Sequence, residues 1–220
     1  WPAAFAVSFV YLVLPAHYGP AWRRDKMAEE METTEETRKR RRLALAVMLI
    51  VIAGALAYCN SLYGEFVFDD VKMIRDNTTI RSLSNVPLIF ANMFAYRPIA
   101  GEGTQIDPSY RPLRFLSYAI DYQFSGASPV GYHISSVLYH IIASTLVFLL
   151  LGRLVGHYGA SLGAALVFAV HPVHTESVAY LTGRKDVLCA IFYLLAFLCF
   201  LKYRRTPRGL YAVSYTHLRA

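Results

Sequence analysis

The sequence predicts an all-α polytopic membrane protein, on three observations. Hydrophobic residues make up 55% of the chain and charged residues only 17%, with a mean hydropathy of +0.35, too apolar for a soluble domain or for disorder. Apolar runs of helical length recur along the chain. Short basic clusters stand beside those runs and hold much of the net charge of +7, a pattern of topology signals rather than of a nucleic-acid face.

The first apolar stretch, 3–16, is about 14 residues long against the roughly 20 that a span needs, and Pro15 interrupts it. It lacks the basic start and small-residue exit of a signal peptide. Met27 opens a charged stretch, so residues 1–26 read as upstream read-through, with a hairpin-like anchor as the alternative. Residues 1–42 form the N-terminal cytoplasmic segment. The membrane domain is expected over 43–205.

Span one is 43–63, led by the basic run Arg38 to Arg42, which places its start in the cytoplasm. The first outer loop, 64–129, is too polar to span and too patterned for a linker. A short helix is expected from Val86-Pro87. A longer one should follow Pro112, with Leu113, Leu116, Ile120 and Phe124 on one apolar face until Ser125-Gly126, suited to the membrane surface. Between them, 101–109 reads as a mobile loop.

Spans two to four are 131–151, 158–170 and 187–201. The third is short, but Gly159 and Gly163 stand at the four-residue spacing that lets helices pack closely. Arg153 after the second span and Lys202, Arg204 and Arg205 after the fourth give the same topology as the first cluster. The second outer loop is then 171–186, and 206–220 is a tail that reads as partly artefactual. Cys59, Cys189 and Cys199 lie in or beside apolar runs, as small hydrophobes do.

The chemistry-bearing residues concentrate in the two outer loops. Asp69 and Asp70, just past the first span, suit a general base for a hydroxyl proton or a cation site; the alternative is a cap on a helix starting at Val71. Of the two, Asp69 is the better-placed cap and Asp70 the freer to face an acceptor. His171, His174 and Glu176 resemble a metal set only loosely, because Pro172 breaks the helix that would align them. No metal site is predicted, although a divalent ion at the acidic pair stays open. Arg184 and Lys185, at a helix start, suit either phosphate contact or solvation, and Asp186 there complements the helix dipole. Arg111 and Arg114 suit a phosphate or a lipid headgroup. His133 and His140 share a face of span two, and a neutral His140 bonded to a neighbouring helix is the plainer reading.

Phe68-Asp69-Asp70, Tyr110-Arg111-Pro112-Leu113, Gly131-Tyr132-His133 and, above all, the run from His171 to Leu188 resemble the transmembrane and tetratricopeptide-repeat glycosyltransferases and their bacterial relatives. The likeness covers about 44–205 and implies the N-terminal part of a glycosyltransferase C-type helix bundle with short helices in its first outer loop. It further implies a polyprenyl-phosphate-linked sugar as donor, with no other cofactor, and transfer to an acceptor hydroxyl, as in protein O-mannosylation. Asp69 or Asp70 is then the candidate base. Arg111, His133, His171, His174, Glu176, Arg184 and Asp186 are candidates for substrate contact. The implied partners are the lipid bilayer, the lipid-linked sugar and a protein acceptor, with no nucleic acid. The Leu-rich spans favour a bacterial inner membrane, and a eukaryotic member would sit in the endoplasmic reticulum. The family's further spans and helical repeats do not follow here, so the segment alone is expected to be inactive. The competing reading is a noncatalytic membrane anchor of a tetratricopeptide-repeat scaffold; a transporter ranks last, since His140 alone is an ionisable group deep in a span.

Overall fold

The computed structural model describes residues 21–91 and 110–205. The expectations for 1–20, for the loop 101–109 and for 206–220 lie outside the described residues. Helices account for the architecture, and no strand forms among the described residues. The chain divides into two compact units, Trp1–Leu45 and Ala46–Ala220.

Helix α1 (Ala21–Tyr58) begins well before the first span. Its polar part is rich in Glu, Lys and Arg, which are good helix formers, and an exposed Glu36–Arg40 pair one turn apart adds a few tenths of a kcal/mol. From Ala46 onward, only Ala46, Ile50, Gly54 and Tyr58 are buried, a four-residue repeat that lays one narrow stripe against the bundle. A Cβ on Gly54 would lie 2.9 Å from Ile141, so glycine permits that approach. Leu45, Leu49, Ile52 and Leu56 face outward, as lipid contact requires.

The outer loop is a chain of short turns. A π-helix (Val71–Arg75) and two 3-10 turns (Thr79–Arg81 and Leu83–Asn85) lead into α2 (Val86–Ala91). Side chains stitch them together: Asn77 accepts from the Thr79 amide at 2.9 Å, and Asn85 donates to the Thr79 carbonyl at 2.9 Å. Helix α3 (Pro112–Ser125) starts on the expected proline and stops at Gly126, whose φ of 56° needs no side chain. It buries Phe115, Tyr118 and Ala119 with Ile74, Ile80, Ile89, Tyr132 and Leu181, and leaves Leu113, Ile120 and Phe124 outside.

Helix α4 (Pro129–Leu154) is the centre of the bundle, packed against α3, α5 (Tyr158–Val170) and α7 (Arg184–Arg205). A 3-10 turn (Pro172–His174), the short α6 (Thr175–Val178) and a second turn (Leu181–Gly183) join α5 to α7. Among the described residues, three helical segments are long and apolar enough to cross a membrane: Glu29–Tyr63, Pro129–Leu154 and Leu181–Arg204. Helix α5 has 13 residues, about 20 Å of rise against a hydrocarbon core of about 30 Å.

The packing of α5 corrects one expectation. A Cβ on Gly163 would meet nothing within 4 Å, and on Gly159 only its own neighbour His157 at 3.4 Å. The buried small residues are Ser161, Ala165 and Ala169, on a face two positions along, with Ala165 and Ala169 packed beside Ala46, Ile50 and Phe148. The close approach is made by alanine and serine.

Candidate functional site

The two outer loops meet at Asp70. Its carboxylate is fully buried, and Oδ1 accepts two bonds from Thr182, at 2.8 Å from the amide and 2.6 Å from the hydroxyl. Oδ2 is buried without a hydrogen-bond partner. Burial pushes the Asp70 carboxyl above the ordinary carboxylate range, while the Thr182 hydroxyl and amide pull it back.

Asp69 points the other way and is exposed. Phe68, the residue before it, has a φ of 49°, in the left-handed region that a side chain strains, and its ring is 87% exposed. The pair is therefore split between an inward and an outward carboxylate, in the order opposite to expectation. Asp70, expected to face an acceptor, is the anchored one. Neither matches the simple cap: as N-cap of the helix from Val71, Asp70 makes no side-chain capping bond.

Arg184 corrects a second expectation. It is fully buried, and its five N–H groups are all spent: Nε on Ser136, Nη1 on Ser117 and Asp121, Nη2 on the Tyr132 carbonyl and Ser135. The Tyr118 and Tyr139 rings lie 5.0 and 5.5 Å from the guanidinium carbon. Arg184 is neither solvated nor left with a donor for phosphate; it ties α3, α4 and α7 together. Arg114 is likewise buried, beside Phe115 and Met73.

Gly183 lets this turn close, because a Cβ there would overlap the Glu176 carbonyl oxygen. The Tyr118 hydroxyl donates to the Leu181 carbonyl at 2.9 Å and fixes the same turn from α3. Thr182, Tyr118, Asp121, Ser117, Ser135 and Ser136 were not legible as site residues. The available signal was a lone carboxylate, Asp121, one helical turn after Ser117 and Tyr118, and a Ser-Ser pair in an apolar span.

The four histidines beside the outer loops and in the second span each have a different setting. His140 donates from Nε2 to the Ala169 carbonyl at 3.0 Å and lies edge-on to Tyr58, the plainer of its two readings. His133 is buried, with its ring beside Gly64. His171 is exposed and accepts from the Val173 amide at 3.2 Å, capping its own turn. His174 is half-buried with its ring 4.3 Å from that of Phe168; burial first and His171 second hold it below the ordinary histidine value. Glu176, Asp186 and Arg111 are exposed. No group of three or more His, Cys, Asp or Glu able to hold a metal occurs among the described residues.

These helices and loops define a segment of an all-α, multi-pass membrane protein. The sequence is related to the transmembrane and tetratricopeptide-repeat protein O-mannosyl-transferases, the family its motifs resemble. It is 40% identical over 156 residues to "Protein O-mannosyl-transferase TMTC3" of Mus musculus, covering 71% of this chain and 17% of that protein. It is 35% identical over 162 residues to "Protein O-mannosyl-transferase F38B6.6" of Caenorhabditis elegans, covering 72% and 23%, and 38% identical over 148 residues to "Protein O-mannosyl-transferase Tmtc1" of Drosophila melanogaster, covering 67% and 17%. The chain thus spans only about a fifth of the length of these relatives. No family model matches it, and no solved structure does.

Proposed function

We propose that this chain is the part of a membrane glycosyltransferase that receives an acceptor hydroxyl at the outer membrane face, and that the reaction is protein O-mannosylation from a polyprenyl-phosphate-linked sugar. The observation that carries this is the exposed Asp69 held beside an anchored Asp70 where the two outer loops meet. The names of the relatives support the reaction class.

In this reading, Asp69 takes the proton of a serine or threonine hydroxyl. The hydroxyl oxygen bonds to the sugar's anomeric carbon as the bond to the lipid phosphate breaks, and the phosphate leaves with the electron pair. An exposed carboxylate meets the first demand on a base, which is reach. Arg111, exposed at the start of α3, supplies positive charge for the leaving phosphate in place of Arg184. The outward Leu113, Ile120 and Phe124 give α3 an apolar side on which it rests against the bilayer that holds the lipid.

The test is transfer by the full-length protein, reconstituted with either dolichyl-phosphate mannose or an undecaprenyl-phosphate sugar and a serine- and threonine-rich peptide. Asp69→Asn should remove transfer at matched protein level. Full activity in that variant would overturn the base assignment, and no transfer by the wild type with either donor would favour the noncatalytic anchor.

A further inference from the structure

We infer that Thr182 is a positioning residue for the acidic pair, a latch from the second outer loop that fixes the direction of Asp69 by holding Asp70. The inference rests on Asp69 being the acceptor-facing group. Thr182 is 112 residues from Asp70 in sequence, yet both its amide and its hydroxyl converge on one buried carboxylate oxygen. Asp69 and Asp70 are consecutive residues at one helix start, so fixing the inward carboxylate fixes the rotation of the turn and hence the outward one.

The latch is held from behind. Gly183 and Arg184 follow Thr182 directly; the first admits no side chain, and the second spends every donor on α3 and α4. On the other side, Phe68 holds a left-handed conformation just before the pair. Local strain of this kind persists only where surrounding contacts over-determine it, and the two bonds to Asp70 are such contacts. The Tyr180 hydroxyl also lies by Thr182 and the Asp69 backbone.

Thr182→Val removes the hydroxyl bond at nearly constant volume and leaves the amide bond, so the pair should lose orientation while the fold persists. The expected result in the full-length protein, with dolichyl-phosphate mannose and the same peptide, is a kcat lower by about tenfold with donor KM little changed. Thr182→Ser keeps the hydroxyl and should restore kcat. Should Thr182→Val fail to insert, Thr182→Ala serves in its place against the same serine control. Wild-type kcat in the valine or alanine variant would overturn the latch. So would a loss that serine does not restore, or one that appears only in donor KM. Asp69→Asn, run alongside, separates the two readings: if it stays active, the base assignment itself fails; if it is inactive while Thr182→Val is unimpaired, only the latch fails.

Discussion

Arg184 and Asp121 form a buried ion pair between the start of α7 and the outer-loop helix α3, with side chains 0% and 8% exposed. Three serine hydroxyls and a backbone carbonyl complete the guanidinium's set of acceptors. Both charges have left water, so removing one strands the other. Arg184→Met should lower unfolding stability by roughly 3–5 kcal/mol, whereas the double variant Arg184→Met, Asp121→Leu should recover much of the loss. Thermal unfolding of the purified single and double variants in one detergent decides it. A double variant no better than the single would show that the serines, not the carboxylate, govern the cost.

The same turn yields a steric prediction. Gly183→Ala puts a methyl group where the Glu176 carbonyl oxygen already sits, with the Ser177 Cα at 3.1 Å. Both neighbours are backbone, so neither can rotate away. A loss of about 1–3 kcal/mol is expected from overpacking, read as a lower melting temperature. Gly163→Ala, with nothing within 4 Å, serves as the control and should leave the melting temperature unchanged or slightly raised, since alanine is the better helix former.

Much of the fold was legible because its signals are local. Run length marks the long apolar helices, and proline and glycine bound α3 at Pro112 and Gly126. Partnerships across the chain were not. The acceptors of Arg184 lie 48 to 67 residues away, and its sequence position beside Lys185 and Asp186 resembles a solvated cluster. Nor does the order of Asp69 and Asp70 reveal which faces inward. That is set by the left-handed Phe68 and by a threonine in another loop. For α5 the glycines carried the expected signal, but helix packing selects a face, and the face chosen holds alanines.

The topology we propose rests on basic clusters that agree, and it is checked by labelling. In a background lacking Cys59, Cys189 and Cys199, a cysteine at the exposed Glu176 should react with an impermeant thiol reagent from the non-cytoplasmic side, and one at the exposed Glu36 only after permeabilisation. Protection at 176 together with reaction at 36 would invert the orientation and remove both outer loops from the side on which transfer is proposed.

The last prediction concerns acid. Burial raises the Asp70 carboxyl above its ordinary 3.8 despite the Thr182 donors. The protonated form is thus favoured by folding: this group's contribution to stability is full below about pH 4 and is lost as pH rises through the raised folded value. Asn at this position keeps an oxygen for both Thr182 donors but cannot ionise, so Asp70→Asn removes the dependence. Melting temperatures of wild type and Asp70→Asn, measured together from pH 4 to pH 8, should diverge with rising pH, the wild type falling relative to the variant. If wild type instead gains on Asn as pH rises, the two Thr182 bonds outweigh burial, and Asp70 is held as a stabilised carboxylate.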